Sequence, residues 1–156
     1  MCTFEEKNAG GKQVGVGIEV KYTEGGYWLK GRENNRVLSE DSEYWVTTRE
    51  SGVFVDPENC ELAGNDLRQI WRNHLLGLKM VMQNDIAEFL SVTLYPEGNT
   101  HFAKALCKYK SHLTEDSKEC VRDCTFEHFV DSLRGSNEID AWKSYLKTRY
   151  LFEAPR

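Results

Sequence analysis

Glu19 and Lys21 stand two residues apart in VGVGIEVKYTE, Val14 to Glu24, a stretch that otherwise reads as apolar strand. Side chains alternate along a strand, so these two share a face while Ile18 and Val20 take the other, which makes the Ile18 face the expected core side. A carboxylate and an ammonium on one face suit metal-assisted phosphoryl chemistry. The carboxylate helps hold a divalent cation that activates water, and the lysine steadies the nucleophile or the phosphate oxygens. The same two charges equally suit an ion pair on an exposed sheet, which is the commoner use of such a pattern.

A second group of polar residues comes from a predicted helix. Asn65 or Asp66 can cap it, and Leu67, Ile70, Trp71, His74, Leu75, Leu78 and Met82 recur at helical spacing to about Met82. Gln69, Asn73, Leu76 and Met80 form another line at spacings of three and four, with Arg72 at its edge. A helix with two such lines is covered on both sides, which places Gln69 and Arg72 near an interior cleft. His74 lies within the apolar stripe and reads as a hydrogen-bonded core residue.

The remaining elements must position these groups. Asn8-Ala9-Gly10-Gly11 reads as the turn of a hairpin whose second strand ends near Lys21, with glycines at 15 and 17 leaving one face bare for close approach of another backbone. Residues 24–66, broken by Gly25-Gly26, Gly31, Asn34-Asn35, Pro57 and Gly64, read as an irregular insertion holding at most one short helix or strand pair. A β-rich run from Glu88 to Tyr95 stops at Pro96, a helix follows from Thr100 to about His112, and residues 119–124 read as an edge strand. Thr125 caps a helix carrying Phe126, Phe129, Val130 and Leu133, and a last amphipathic helix runs from about Glu138 to Leu151.

With 156 residues, 40% of them hydrophobic and 29% charged with both signs mixed, the chain is expected to form one globular domain over residues 1–156. No apolar run approaches the roughly 18 residues of a membrane span, and the first residues lack a signal-peptide layout, so a cytoplasmic location without membrane partners is expected. Five cysteines without a framework pattern read as free thiols. A net charge of −5 confines any nucleic-acid contact to a local basic patch.

Ile18 to Glu24, then Leu67 to Leu76, then the strand ending Leu94-Tyr95-Pro96 resemble the PD-(D/E)XK nuclease superfamily, and within it a bacterial restriction-endonuclease-like branch. The resemblance implies an α/β fold with a restriction-endonuclease-like core, a mixed β-sheet flanked by helices on both faces, and DNA phosphodiester hydrolysis with Mg2+ or Mn2+. Glu19 resembles the metal ligand and Lys21 the catalytic lysine. Gln69 resembles the polar helix residue beside the site, and Arg72 and Asn73 are the expected substrate contacts. DNA is the implied partner, and a homodimer stays open. One departure stands out: the superfamily places another acid on the strand paired with the (D/E)XK strand, and the hairpin puts Met1 or Cys2 opposite Glu19. The chain is therefore expected to be N-terminally truncated, with that acid upstream of Met1. Glu5 and Glu6 would substitute only with a displaced turn or a bulge.

Three further readings stay beside this one. A nuclease scaffold can serve as a non-catalytic nucleic-acid-binding or interaction domain. Cys120, Cys124 and His128 have zinc-like spacing, although a cap at Thr125 would break their shared face. Lys104, Lys108 and Lys110, with Lys143, Lys147 and Arg149, can track a phosphate backbone or form ordinary solvated faces, the second being favoured by the acidic balance.

Overall fold

The computed structural model describes residues 2–7, 13–22 and 31–150. The period-two stretches become a four-stranded mixed sheet in the order β1-β2-β3-β4. Strand β1 (Cys2–Lys7) pairs antiparallel with β2 (Gln13–Val20), while β3 (Glu88–Tyr95) and β4 (Val121–Thr125) add in parallel. Parallel neighbours require crossover connections, and these are helical. The first holds α1 (Arg32–Leu38), α2 (Glu43–Ser51), a 3-10 helix (Cys60–Ala63) and α3 (Arg68–Met82). The second holds α4 (Thr100–Ser111) and α5 (Glu115–Lys118), and α6 (Phe126–Ser132) and α7 (Asn137–Tyr150) follow β4. Among the described residues no helix is long and apolar enough to cross a membrane.

The register decides which residues can meet. Glu19 lies opposite Thr93 of β3, which lies opposite Asp123 of β4, so the three form one row on one face. That face is the covered one. Lys21 is 5% exposed whereas Val20 is 53% exposed, so the expected assignment of the Ile18 and Val20 side to the core is corrected. The reason is steric: with Gly15 and Gly17 bare on the Glu19 face, helix α3 settles close against the sheet. Gly77 of α3 rests on the Phe89 ring, where an added Cβ would lie 2.0 Å from a ring carbon. Leu62, Leu67, Ile70, Trp71, Phe102 and Tyr109 fill the core on this side. On the other side Tyr22 meets Phe126 of α6 and Tyr150 of α7 edge to face, at centroid distances of 6.2 and 5.9 Å.

Part of the expected insertion is regular. Helices α1 and α2 and the 3-10 helix occupy much of 31–63, which corrects the irregular reading of 24–66 over these residues, while 23–30 lie outside the described ones. Helix α2 exists because of what it packs on. Trp45 packs against Trp71 with ring centroids 4.9 Å apart and planes tilted by 50°, and donates its indole N–H to the Val37 carbonyl at 3.0 Å, and Thr48 Oγ1 accepts from Trp71 Nε1 at 3.0 Å. A short helix with this little amphipathicity is stabilised by tertiary contact rather than by its own periodicity.

The caps agree in part. Thr125 accepts from the His128 amide at 3.2 Å as expected, but α3 uses neither Asn65 nor Asp66. The Gly64 carbonyl accepts from the amides of Leu67 and Arg68 at 3.2 and 2.8 Å, so the 3-10 helix runs through a turn into α3 and the backbone makes the start. Cys120 precedes β4, Cys124 sits in it and His128 lies in α6, so they share no helical face. Cys60, Cys107, Cys120 and Cys124 are free thiols.

Candidate active site

Glu19 ends the run of covered positions on β2, and Lys21 keeps the same parity one step beyond the strand. The Lys21 amide donates to the Leu94 carbonyl at 2.8 Å, which continues the parallel ladder and holds both side chains on the α3 side. There the Lys21 ammonium meets Glu19 Oε1 at 2.9 Å, with the side chains 7% and 14% exposed. This excludes the exposed-sheet ion pair weighed at first.

Helix α3 supplies the rest of the shell. Gln69 and Asn73 are one turn apart and so share a face. Gln69 Nε2 donates to Glu19 Oε1 at 2.6 Å, and Asn73 Nδ2 donates to Glu19 Oε2. One carboxylate thus accepts from an ammonium and two amides, the compensation a largely buried charge requires. Asn73, expected as a substrate contact, is a direct partner of Glu19. The Lys21 ammonium also lies 5.8 Å above the Phe102 ring of α4.

Beyond the two amides the site opens. Tyr44, Gln69, Arg72, Asn73 and Leu76 line a pocket of about 350 Å³, so Gln69 and Asn73 stand between it and the Glu19 carboxylate. The Arg72 guanidinium carbon lies over the Tyr44 ring, 5.3 Å from its centroid. Tyr44 was not foreseen as a site residue. Its local signal was the Tyr44-Trp45 pair two residues after Ser42, the N-cap of α2.

Other acids are placed elsewhere. Asp123 shares the row of Glu19 but lies two strands away, about 10 Å at the usual strand spacing. Lys110 Nζ bonds Asp123 Oδ1 at 2.8 Å and Tyr95 OH donates to Oδ2 at 3.2 Å, and the Lys110 hydrogen bond holds the Asp123 carboxyl below its usual range. Burial first, and the Asp123 charge second, push the Tyr95 phenol up to about 12. The register pairs Glu5 with Gly15 and Glu6 with Val14, at the far end of β2 from Glu19, so neither takes the role of a partner acid. Cys2 pairs with Ile18; residue 1, next along this register, lies outside the described residues.

The basic faces are largely engaged within the chain. Lys108 pairs with Glu61 at 3.1 Å, Lys110 with Asp123 at 2.8 Å and Lys147 with Asp131 at 2.7 Å, while Arg149 lies over the rings of Tyr145 and Tyr150. Among the described residues no three of His, Cys, Asp and Glu gather as a metal cluster.

A divalent ion of the magnesium type takes oxygen ligands, commonly from one or two carboxylates with waters and substrate phosphate completing the shell. Glu19 offers such a carboxylate, and Gln69 and Asn73, whose nitrogens face Glu19, retain amide oxygens of the same hard character. The donor set suits Mg2+ or Mn2+ rather than a thiophilic metal.

Against known protein families, residues 3–152 match the model of the PD-(D/E)XK nuclease superfamily. Neither among curated proteins nor among solved structures does the chain find a significant match.

Proposed function

The chain belongs to the PD-(D/E)XK nuclease superfamily, and from that membership we propose that it hydrolyses DNA phosphodiester bonds with Mg2+ or Mn2+ held at Glu19. The superfamily's nucleases generally use divalent metals and act on nucleic acid. The observation that supports this reading is the convergence of Lys21, Gln69 and Asn73 on a single part-buried carboxylate beside the Arg72 pocket.

A divalent ion held by Glu19 would supply Lewis-acid chemistry at the phosphate. The chain's own residues do the positioning. Gln69 and Asn73 lock the Glu19 rotamer, which is work spent before substrate arrives. Lys21 uses one of its three N–H donors on Glu19 and presents the others to the attacking water or a phosphate oxygen. Arg72, placed over the Tyr44 ring, offers a planar fork to a neighbouring phosphate.

The test is cleavage of supercoiled, linear and single-stranded DNA with each ion. Lys21→Ala and Glu19→Gln are expected to lower the rate at least 100-fold while circular dichroism shows the fold retained. Absence of cleavage by the full chain on all three substrates with both ions overturns the proposal.

A second reading, a non-catalytic nucleic-acid-binding domain, is favoured by one arrangement: both Glu19 oxygens accept hydrogen bonds from the chain itself, and Asp123, the acid in the same row, lies two strands away. It predicts metal-independent, steeply salt-dependent DNA binding that survives Glu19→Ala.

A further inference from the structure

Helix α7 turns one stripe toward the protein: Leu146 is buried, and Ile139, Lys143 and Tyr150 are part-buried. About a quarter turn away, Glu138, Trp142, Tyr145 and Arg149 form a second stripe at spacings of four, three and four, and all of it is exposed. Trp142 is 48% and Tyr145 52% exposed. A single apolar group on a surface is ordinary, but two large aromatics one turn apart beside an arginine have the composition of an interface hot spot. Arg149 extends the aromatic surface, its guanidinium carbon 5.8 Å from the Tyr145 ring centroid and 5.7 Å from that of Tyr150.

Two features of the helix choose the occupant of this face. Its ends are opposite in charge, with Glu138 and Asp140 in the first turn and Lys147 and Arg149 in the last. A nucleic-acid backbone laid along it would meet the carboxylates of the first turn, whereas an antiparallel copy of the same helix meets opposite charge at both ends. The spacing is also self-complementary. Glu138 with Arg149, and Trp142 with Tyr145, are two pairs centred on the same point, the Lys143–Ser144 peptide. A two-fold axis through that point brings Glu138 of each copy to Arg149 of the other and Trp142 of each to Tyr145 of the other.

We propose that this face of α7 is a homodimer interface, an antiparallel pair of α7 helices about a two-fold axis at the Lys143–Ser144 peptide. The aromatics form its centre and the two Glu138–Arg149 pairs its rim. It uses none of the residues of the Glu19 site and does not depend on the nuclease reading.

Sedimentation equilibrium of the full-length protein makes the test. A helix pair is smaller than a standard interface, so the wild type should show a monomer–dimer equilibrium with a Kd of about 1–100 µM. Trp142→Ala removes a central aromatic from both copies and should weaken the dimer about 100-fold. Glu138→Arg and Arg149→Glu set like charges face to face and should each weaken it about tenfold. An equimolar mixture of these two variants should restore wild-type affinity, because each then offers the other the opposite charge at both rim positions. Circular dichroism checks that the variants fold, and if Arg149→Glu does not, Glu138→Arg and Trp142→Ala decide alone. A wild type still monomeric at about 500 µM, well above the expected Kd, overturns the proposal. So does a dimer indifferent to the substitutions, or a mixture no tighter than the single variants.

Discussion

At the scale of single residues, the site is a carboxylate whose surroundings have been arranged for it. Gln69 and Asn73 each donate to Glu19, so on the nuclease reading Gln69→Ala and Asn73→Ala are each expected to weaken Mn2+ binding about 10- to 100-fold, read by isothermal titration, and to lower the melting temperature by leaving a largely buried charge short of a donor. His74 predicts a pH effect. Burial lowers its folded pKa from the ordinary 6.5 to about 4, so above pH 6.5 both folded and unfolded chains hold it neutral and its contribution is complete. As pH falls from 6.5 toward 4 the unfolded chain takes a proton that the folded one refuses, and roughly 3 kcal/mol of stability is lost. Urea unfolding of the wild type and His74→Gln across that window should differ by this slope, and parallel curves would refute it. That Glu19 and Lys21 share a face and that Gln69 lies near a cleft was legible in the sequence because strand parity and helical spacing are local rules, and the contacts among the three agree with it. Tyr44 was not, since its place against Arg72 depends on how α2 docks on α3.

At the scale of elements, α3 is the member on which the site depends. Its close approach to the sheet rests on Gly77, where a methyl group would strike the buried Phe89 ring. Alanine is ordinarily the better helix former by about 1 kcal/mol, but overpacking costs about 1–3 kcal/mol, so Gly77→Ala is expected to destabilise the protein. A thermal melt settles the sign. Strand β3 and helices α3, α4 and α7 were readable to within a residue or two, because each carries strong periodicity or ends at a Pro, Gly or Asn boundary. Helices α1 and α2 were missed, because Thr47, Thr48 and Trp45 are buried by neighbours distant in sequence rather than by a recurring apolar stripe. The start of α3 escaped prediction for a related reason: a backbone carbonyl performs a task that Asn65 or Asp66 was expected to do.

At the scale of the whole molecule, the site lies toward the carboxyl ends of the parallel strands β2 and β3, where open α/β sheets place their ligand crevices. The chain carries a net charge of −5, several of its lysines pair with its own carboxylates, and Arg72 lines the pocket beside the Glu19–Lys21 pair. The nuclease reading therefore predicts a shallow salt dependence of DNA binding, with a log–log slope of about −2 from two phosphate contacts. Fluorescence anisotropy in Ca2+ measures it, and a slope near −6 would mean that a further basic surface carries the binding. Asn73, which grips Glu19, and His74, whose Nδ1 lies 2.9 Å from the Tyr109 hydroxyl, are joined by a single peptide unit, a planar and stiff link. Adjacent on one helix, the two residues tie the Glu19 contact and the buried His74–Tyr109 pair to a single element, so one register of α3 against the sheet sets both.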